Sequence, residues 1–142
     1  MTVESTGFKA SDVLAGNLQK VLTDVTALSL VGKQLHWNIT GEGFRSLHLY
    51  LDAVVDIARE ASDEIAERMR ALQVVPNGLP EVVAQRNTLP TVPDAINATV
   101  GTMRDVHEKV DAEDSASADI LNDYIRRFEQ QAWFIRSQNG QA

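Results

Sequence analysis

The sequence predicts an all-α protein, a four-helix bundle with one long crossover connection. Two observations support this fold class. Four segments repeat apolar residues at steps of three and four, the period of one helical face. Proline breaks helix interiors, and all four prolines fall within 18 residues near the middle of the 142-residue chain, at Pro76, Pro80, Pro90 and Pro93. We therefore expect two helical halves and a proline-marked connection within a single domain, residues 1–142.

The first half holds two predicted helices joined by a tight turn. The first helix extends over about residues 11–38, with Ser11 or Asp12 as its N-cap. Asn38 and the glycines after it end this helix, and the second helix then continues to about residue 73. The predicted apolar faces consist of Leu14, Leu18, Val21, Leu22, Val25, Leu28 and Leu35 in the first helix, and of Leu47, Leu51, Val54, Ala58, Ala61, Ile65, Met69 and Leu72 in the second.

The second half is predicted to begin with the crossover, residues 74–92, which includes one short helix at PEVVAQRN. Pro80 opens that helix at the position where proline is tolerated. Two longer helices follow, over about residues 93–112 and 115–138. Short turns join antiparallel neighbours, whereas the long crossover lets the second and third long helices point the same way. This is the ferritin-like variant of the four-helix bundle.

Composition limits the partners and the kinds of site. The formal net charge is −7 and only four of the thirteen basic residues are lysines, which argues against a surface built to neutralise phosphates. The chain contains no cysteine, so a metal must be held by histidine and carboxylates, which suit iron, manganese and zinc. The sequence shows no apolar run of about 18 residues and no leader pattern. We expect a cytoplasmic protein without a membrane span.

The second helix carries histidine and acidic residues along one side. With His48 taken as zero, Asp52 lies near 40°, Asp63 near 60° and Glu67 near 100°, at about 100° per residue. A charged face in contact with water is the ordinary explanation. However, His48 with Asp52, and Asp63 with Glu67, each have the i, i+4 spacing that lets both side chains reach one ion. The pairs are about 16 Å apart along the helix, so a single chain cannot close one site around both.

The residue numbers of these four side chains suggest a two-fold axis between two copies of the helix. The residue numbers add to 115 for His48 with Glu67 and for Asp52 with Asp63. If two copies of the helix cross antiparallel near residues 57 and 58, His48 faces the partner's Glu67 and Asp52 faces the partner's Asp63. We expect the small residue Ala58 to lie beside the axis and let the helices approach. Two equivalent sites then form, each from two chains.

Two further residues belong to this arrangement or flank it. His36 lies near the end of the first helix, and an antiparallel hairpin can bring it beside His48. Two histidines and three carboxylates then make a site suited to iron(II). The same numbering rule sets Asp56 opposite the partner's Arg59, which predicts two ion pairs beside the axis.

The motifs KQLHWNITGEGFRSLHLYLD (33–52), DEIAERM (63–69) and AWFIRS (132–137) resemble the Dps family, the mini-ferritins of bacteria and archaea. The resemblance implies a hollow homododecamer with tetrahedral symmetry and metal sites shared across two-fold interfaces. It implies oxidation of iron(II), preferably by hydrogen peroxide, with up to two iron ions per site and a ferric mineral stored inside. The family's catalytic metal ligands map onto His36, His48, Asp52, Asp63 and Glu67.

The resemblance also suggests roles for residues outside the metal site. Trp37 either quenches stray radicals near the iron or seals the end of the first helix. Asp114, Asp119 and Asp123 match the aspartates that line a three-fold pore for iron entry in this family, although acids at a helix start are also favoured by the macrodipole. Family members that bind DNA often carry lysine-rich tails. Lys9 is the one basic residue in the first 19 positions and the last six have none, so DNA binding through the tails is not expected.

Two other functions stay open from the sequence. A histidine- and carboxylate-bound metal can activate water, which would make the protein a metal-dependent amide or ester hydrolase. The other is a nucleoid DNA-binding protein in which the metal site is secondary.

Overall fold

The computed structural model describes residues 7–84 and 92–138 of the chain. Within these ranges the protein is helical, without strands: α1 (Asp12–Asn38), α2 (Phe44–Ala71), α3 (Pro80–Val83), α4 (Val92–Glu113) and α5 (Ser115–Gln138). The prediction of four long helices and a short crossover helix is confirmed. The crossover helix is shorter than predicted, since α3 has four residues and the remainder of the predicted segment lies partly outside the described residues. None of the helices in the described ranges is long and apolar enough to span a membrane.

The four long helices form a bundle in which each contacts two others. Helix α1 packs against α2 and α4, and α5 packs against α2 and α4, whereas α2 and α4 occupy diagonal corners without contact. The start of α1 lies beside the end of α2, where the Ala10 amide donates to the Leu72 carbonyl, and beside the end of α4, where the Ser11 amide donates to Glu113. Helices α2 and α4 therefore point the same way, and the connection between them joins opposite ends of the bundle; α3, within it, packs on α1. This is the ferritin-like arrangement with one long crossover.

The predicted apolar faces form one continuous core. Most of the residues predicted to face inward are buried, and Leu35 and Leu47, close to the turn between α1 and α2, are half-buried. Ala58 is fully buried in this core. The expectation that Ala58 lies beside a two-fold axis is therefore wrong. At about 100° per residue, it projects about 80° from His48 on the side away from the acidic stripe.

Glycines permit the tight hairpin of α1 and α2. Gly41 and Gly43 adopt φ values of 92° and 77°, a left-handed conformation that glycine enters without steric cost. Within α1, a Cβ atom on Gly32 would lie 2.8 Å from Val55 Cγ2 on α2. The absence of a side chain there lets the two helices approach closely, one turn before His36. At the other end of α1, Ser11 is the N-cap, as predicted, and accepts a hydrogen bond from the Leu14 amide.

Candidate metal centre

His36 and His48 form the centre of the candidate site. His36 lies in the last turn of α1 and His48 in the second turn of α2, so the hairpin brings the rings together, as expected. The ring centroids are 3.6 Å apart with an interplanar angle of 18°. His36 Nδ1 donates to the carbonyl oxygen of His48 at 2.7 Å, and His48 Nδ1 donates to the carbonyl oxygen of His36 at 2.9 Å. The last carbonyls of a helix lack intrahelical partners, and His48 supplies one for the end of α1.

These reciprocal hydrogen bonds determine which ring nitrogens can bind a metal. A carbonyl oxygen can only accept, so both Nδ1 atoms carry a proton and Nε2 is the ring nitrogen that remains for a metal. Metal-binding histidines are typically oriented in this way, by donation from the other ring nitrogen to a carbonyl or carboxylate. The hairpin therefore orients both imidazoles through Nδ1 and leaves Nε2 of each ring as the nitrogen that can bind a metal. Phe44 packs on the His48 ring at a centroid distance of 5.0 Å and helps to hold it.

Asp52 lies one turn beyond His48 and completes this half of the site. Its Oδ1 atom is 3.6 Å from His36 Nε2. The same oxygen accepts a hydrogen bond from Lys33 Nζ at 2.7 Å. That hydrogen bond lowers the pKa of the Asp52 carboxyl below its ordinary value, and the nearby His36 and His48 contribute less to the shift. Asp52 is thus held as a carboxylate beside a positive charge.

Asp63 and Glu67 lie further along α2, and both are exposed. The structure does not bring them to His36, His48 and Asp52 within one chain. In the described ranges, no three acidic or histidine side chains of a single chain are grouped so that they could hold a metal ion. One chain therefore supplies three of the five predicted ligands in one place and the other two about 16 Å or more beyond Asp52 along α2.

Sequence reasoning missed Lys33 as a member of this site. Lys33 precedes His36 by three residues, so both side chains lie on the same face of α1. That spacing could have identified Lys33 as a candidate neighbour of His36. Its partner Asp52 could not be predicted, because the contact joins residues from two different helices.

Trp37 is 67% exposed. It therefore does not seal the end of α1 within one chain, and radical quenching stays a prediction.

The three candidate pore residues differ in their surroundings. Asp114 stands between α4 and α5, where its carboxylate accepts hydrogen bonds from Ser117 and from Arg68, the latter at 2.8 Å. Burial opposes its ionisation, yet these hydrogen bonds lower the pKa of the Asp114 carboxyl below its ordinary value. Asp114 therefore stabilises the start of α5. Asp119 is exposed, and Asp123 lies near two arginines of its own helix. The pore role of all three aspartates stays a prediction.

Comparison with known proteins agrees with the fold. The model of the ferritin-like domain family matches residues 15–142. The DNA protection during starvation protein of Mycolicibacterium smegmatis is 32% identical over 143 residues, covering 91% of this chain and 78% of the relative. The fine tangled pili major subunit of Haemophilus ducreyi is 33% identical over 150 residues, covering 96% and 79%.

Solved structures give the same assignment. The tetragonal form of Mycobacterium smegmatis Dps superposes with a TM-score of 0.85 at 26% identity and covers 96% of this chain and 93% of that one. DpsA14 from Streptomyces coelicolor superposes with a TM-score of 0.80 at 29% identity, with coverage of 87% and 82%. The chain described here therefore belongs to the ferritin-like proteins, and within them to the Dps family.

Proposed function

We propose that this protein oxidises iron(II) at sites shared between two chains and stores the ferric product inside a hollow dodecamer. Proteins of the ferritin-like Dps family generally oxidise and store iron. The observation that carries the proposal is the reciprocal hydrogen bonding of His36 and His48, which uses both Nδ1 atoms and leaves the Nε2 atoms for a metal, that of His36 3.6 Å from Asp52 Oδ1. Imidazole and carboxylate ligands suit iron(II).

A second chain completes the site. Asp63 and Glu67 are exposed on α2, so antiparallel pairing of two α2 helices can bring them to the other chain's histidines. His48 would then face the partner's Glu67, and Asp52 the partner's Asp63. Such a site has five protein ligands and takes up to two iron ions as substrate. The exposure of both carboxylates on the surface of one chain supports this arrangement.

The chemistry follows from two irons held together. Two iron(II) ions supply the two electrons that reduce one hydrogen peroxide to two waters, with uptake of two protons. No hydroxyl radical is released, because the peroxide is not left half-reduced. Three carboxylates stabilise the iron(III) product more than iron(II). Trp37 would be oxidised first if a single-electron side reaction occurred.

Protection of DNA in this proposal is chemical and not a physical cover. The formal net charge of the chain is −7, and binding to DNA by counterion release requires several lysine or arginine contacts. Removal of iron(II) and peroxide protects DNA without contact.

Mixed shells test the shared site. Asp52→Asn and Glu67→Gln should each slow iron oxidation strongly without preventing assembly. When the two variants are co-expressed, about one quarter of the sites should combine an intact Asp52 half with an intact Glu67 half, because random pairing generates that fraction. The rate of iron oxidation in the mixed shells should therefore recover to about one quarter of the parent's rate.

A matched control uses two variants of the same half-site. Co-expression of Asp52→Asn with His48→Gln cannot regenerate an intact site under the proposed pairing. Equal rates in this control and in the Asp52→Asn with Glu67→Gln shells would show that the site lies within one chain.

A further inference from the structure

The connection after α2 contains an asparagine followed by a glycine, Asn77–Gly78, and both residues are exposed. In such a dipeptide the backbone nitrogen of the glycine can attack the side-chain amide of the asparagine, because glycine has no Cβ atom to obstruct a close approach. A Cβ atom on Gly78 would meet nothing within 4 Å, so neighbouring groups do not obstruct the approach either. The same dipeptide occurs at residues 139–140, outside the described ranges.

The attacking nitrogen is free to lose its proton. Within residues 7–84 and 92–138, the Gly78 amide donates no hydrogen bond to another group of the protein. An amide in a helix or a turn must first break its hydrogen bond, whereas an exposed amide without a protein partner is bonded to water. Hydroxide can therefore remove the Gly78 proton without a rearrangement of the connection.

The carbonyl group under attack is already polarised. Asn77 Oδ1 accepts a hydrogen bond from the Leu79 amide at 3.1 Å. When a nitrogen attacks Cγ, negative charge develops on this same oxygen, and a donor aimed at that position stabilises the tetrahedral intermediate. The leaving nitrogen, Asn77 Nδ2, has no hydrogen-bond partner in the part of the chain that the structure describes.

Gln19 of α1 holds the main chain at this point. Its Nε2 donates to the Asn77 carbonyl oxygen at 2.8 Å, and its Oε1 accepts from the Asn77 amide at 2.9 Å. Both main-chain groups of Asn77 are therefore fixed, and the Leu79 amide remains directed at Oδ1. A donor that is fixed beforehand stabilises the developing charge without a cost of reorganisation.

We propose that Asn77 is a site of spontaneous deamidation that the Leu79 amide promotes. The Gly78 nitrogen, after losing its proton to hydroxide, forms a bond to Asn77 Cγ. The Cγ–Nδ2 bond breaks, and Nδ2 takes a proton from water and leaves as ammonia. Water then opens the cyclic imide at either carbonyl, which gives aspartate or isoaspartate at position 77 without an oxidant or a reductant.

This modification changes the charge and the length of the connection. The product carries one negative charge more than the parent, and the isoaspartate form adds a methylene group to the main chain between the point that Gln19 holds and Gly78. Gly78 lines the same part of the surface as Asp63, a proposed metal ligand. Deamidation therefore alters the surroundings of that carboxylate, although the reaction does not depend on the proposed function.

Peptide mapping by mass spectrometry tests the site. The protein is incubated at mildly alkaline pH, and conversion at residue 77 is followed over time, with Asn139 as an internal reference in the same dipeptide. The rate at residue 77 should rise in proportion to the hydroxide concentration. Gly78→Ala should slow it several-fold, because the added methyl group obstructs the attacking nitrogen.

Leu79→Pro removes the hydrogen-bond donor with little change of structure. Leu79 is exposed and has φ −66° and ψ 148°, a conformation that proline adopts. Loss of one exposed hydrogen bond should slow conversion at residue 77 by about two- to tenfold. Leu79→Ala keeps the amide and should convert as fast as the parent, and the rate at Asn139 should be the same in all variants.

Guanidinium chloride separates the effect of the folded connection from that of the dipeptide alone. In the unfolded protein, Leu79→Pro and Leu79→Ala should convert at the same rate at residue 77, because the hydrogen bond to Asn77 belongs to the folded structure. Equal rates of these two variants in the folded protein, or conversion at Asn139 without conversion at residue 77, would overturn the inference.

Discussion

Substitution of Gly32 by alanine tests whether close approach of α1 and α2 builds the histidine pair. The new Cβ atom would lie 2.8 Å from Val55 Cγ2, whereas carbon atoms in contact prefer about 3.5–4.0 Å. The helices must therefore separate by roughly 0.7–1.2 Å. Val55 is fully buried, and a β-branched side chain in a helix has one strongly preferred rotamer, so it cannot turn aside without strain.

Two effects of opposite sign determine how much Gly32→Ala changes the free energy of unfolding. Overpacking of a core costs about 1–3 kcal/mol, and alanine is favoured over glycine inside a helix by about 0.8–1 kcal/mol. Gly16 is a matched control in the same helix, because a Cβ atom there meets nothing within 4 Å. Gly16→Ala should therefore raise the free energy of unfolding, and Gly32→Ala should fall below it by about 1–3 kcal/mol.

Urea unfolding followed by circular dichroism measures the difference, with all proteins at one concentration because assembly affects apparent stability. In the background of Val55→Ala, which removes the clashing methyl group, Gly32→Ala should no longer destabilise, with a coupling free energy of about 1–3 kcal/mol between the two positions. Gly32→Ala should also weaken metal binding at the histidine pair. His36 lies one turn after Gly32, and its hydrogen bond to the carbonyl of His48 would lengthen, so cobalt(II) should bind less tightly to Gly32→Ala. If Gly32→Ala stabilises the protein as much as Gly16→Ala, the close contact does not exist.

Three other variants test Lys33 beside the metal site and the three candidate pore aspartates. Lys33→Met removes the ammonium that is hydrogen-bonded to Asp52, so cobalt(II) should bind more tightly by calorimetry, and unchanged or weaker binding would contradict the assignment. Asp114→Ala should lower the free energy of unfolding at pH 7 by about 1–3 kcal/mol. Because the pKa of Asp114 is lowered in the folded protein, its contribution is complete above about pH 5 and is lost as the pH falls through the lowered value. The difference between the urea midpoints of variant and parent should therefore shrink as the pH is lowered below about 4. Asp119→Asn with Asp123→Asn should slow iron uptake and weaken its salt dependence if these residues line a pore, and unchanged uptake at low salt would leave them as surface acids.

The sequence by itself predicted the helices, their order and the acidic stripe on α2. These features depend on residue periodicity along one chain, which is read from neighbours three or four positions apart. Clustering of the prolines located the crossover for the same reason, since each proline acts on its own backbone. The error at Ala58 has a physical cause too. Its position along the helix suggested the axis, but its rotation around the helix placed it in the core.

Contacts between helices were decided only by the tertiary structure. The reciprocal hydrogen bonds of His36 and His48 depend on the angle and distance at which α1 meets α2, and no spacing rule specifies them. Lys33 reaches Asp52 across the same contact, and Arg68 binds Asp114 although 46 residues separate them. Periodicity shows which side of a helix is buried, whereas the partner of each side chain depends on how the helices pack.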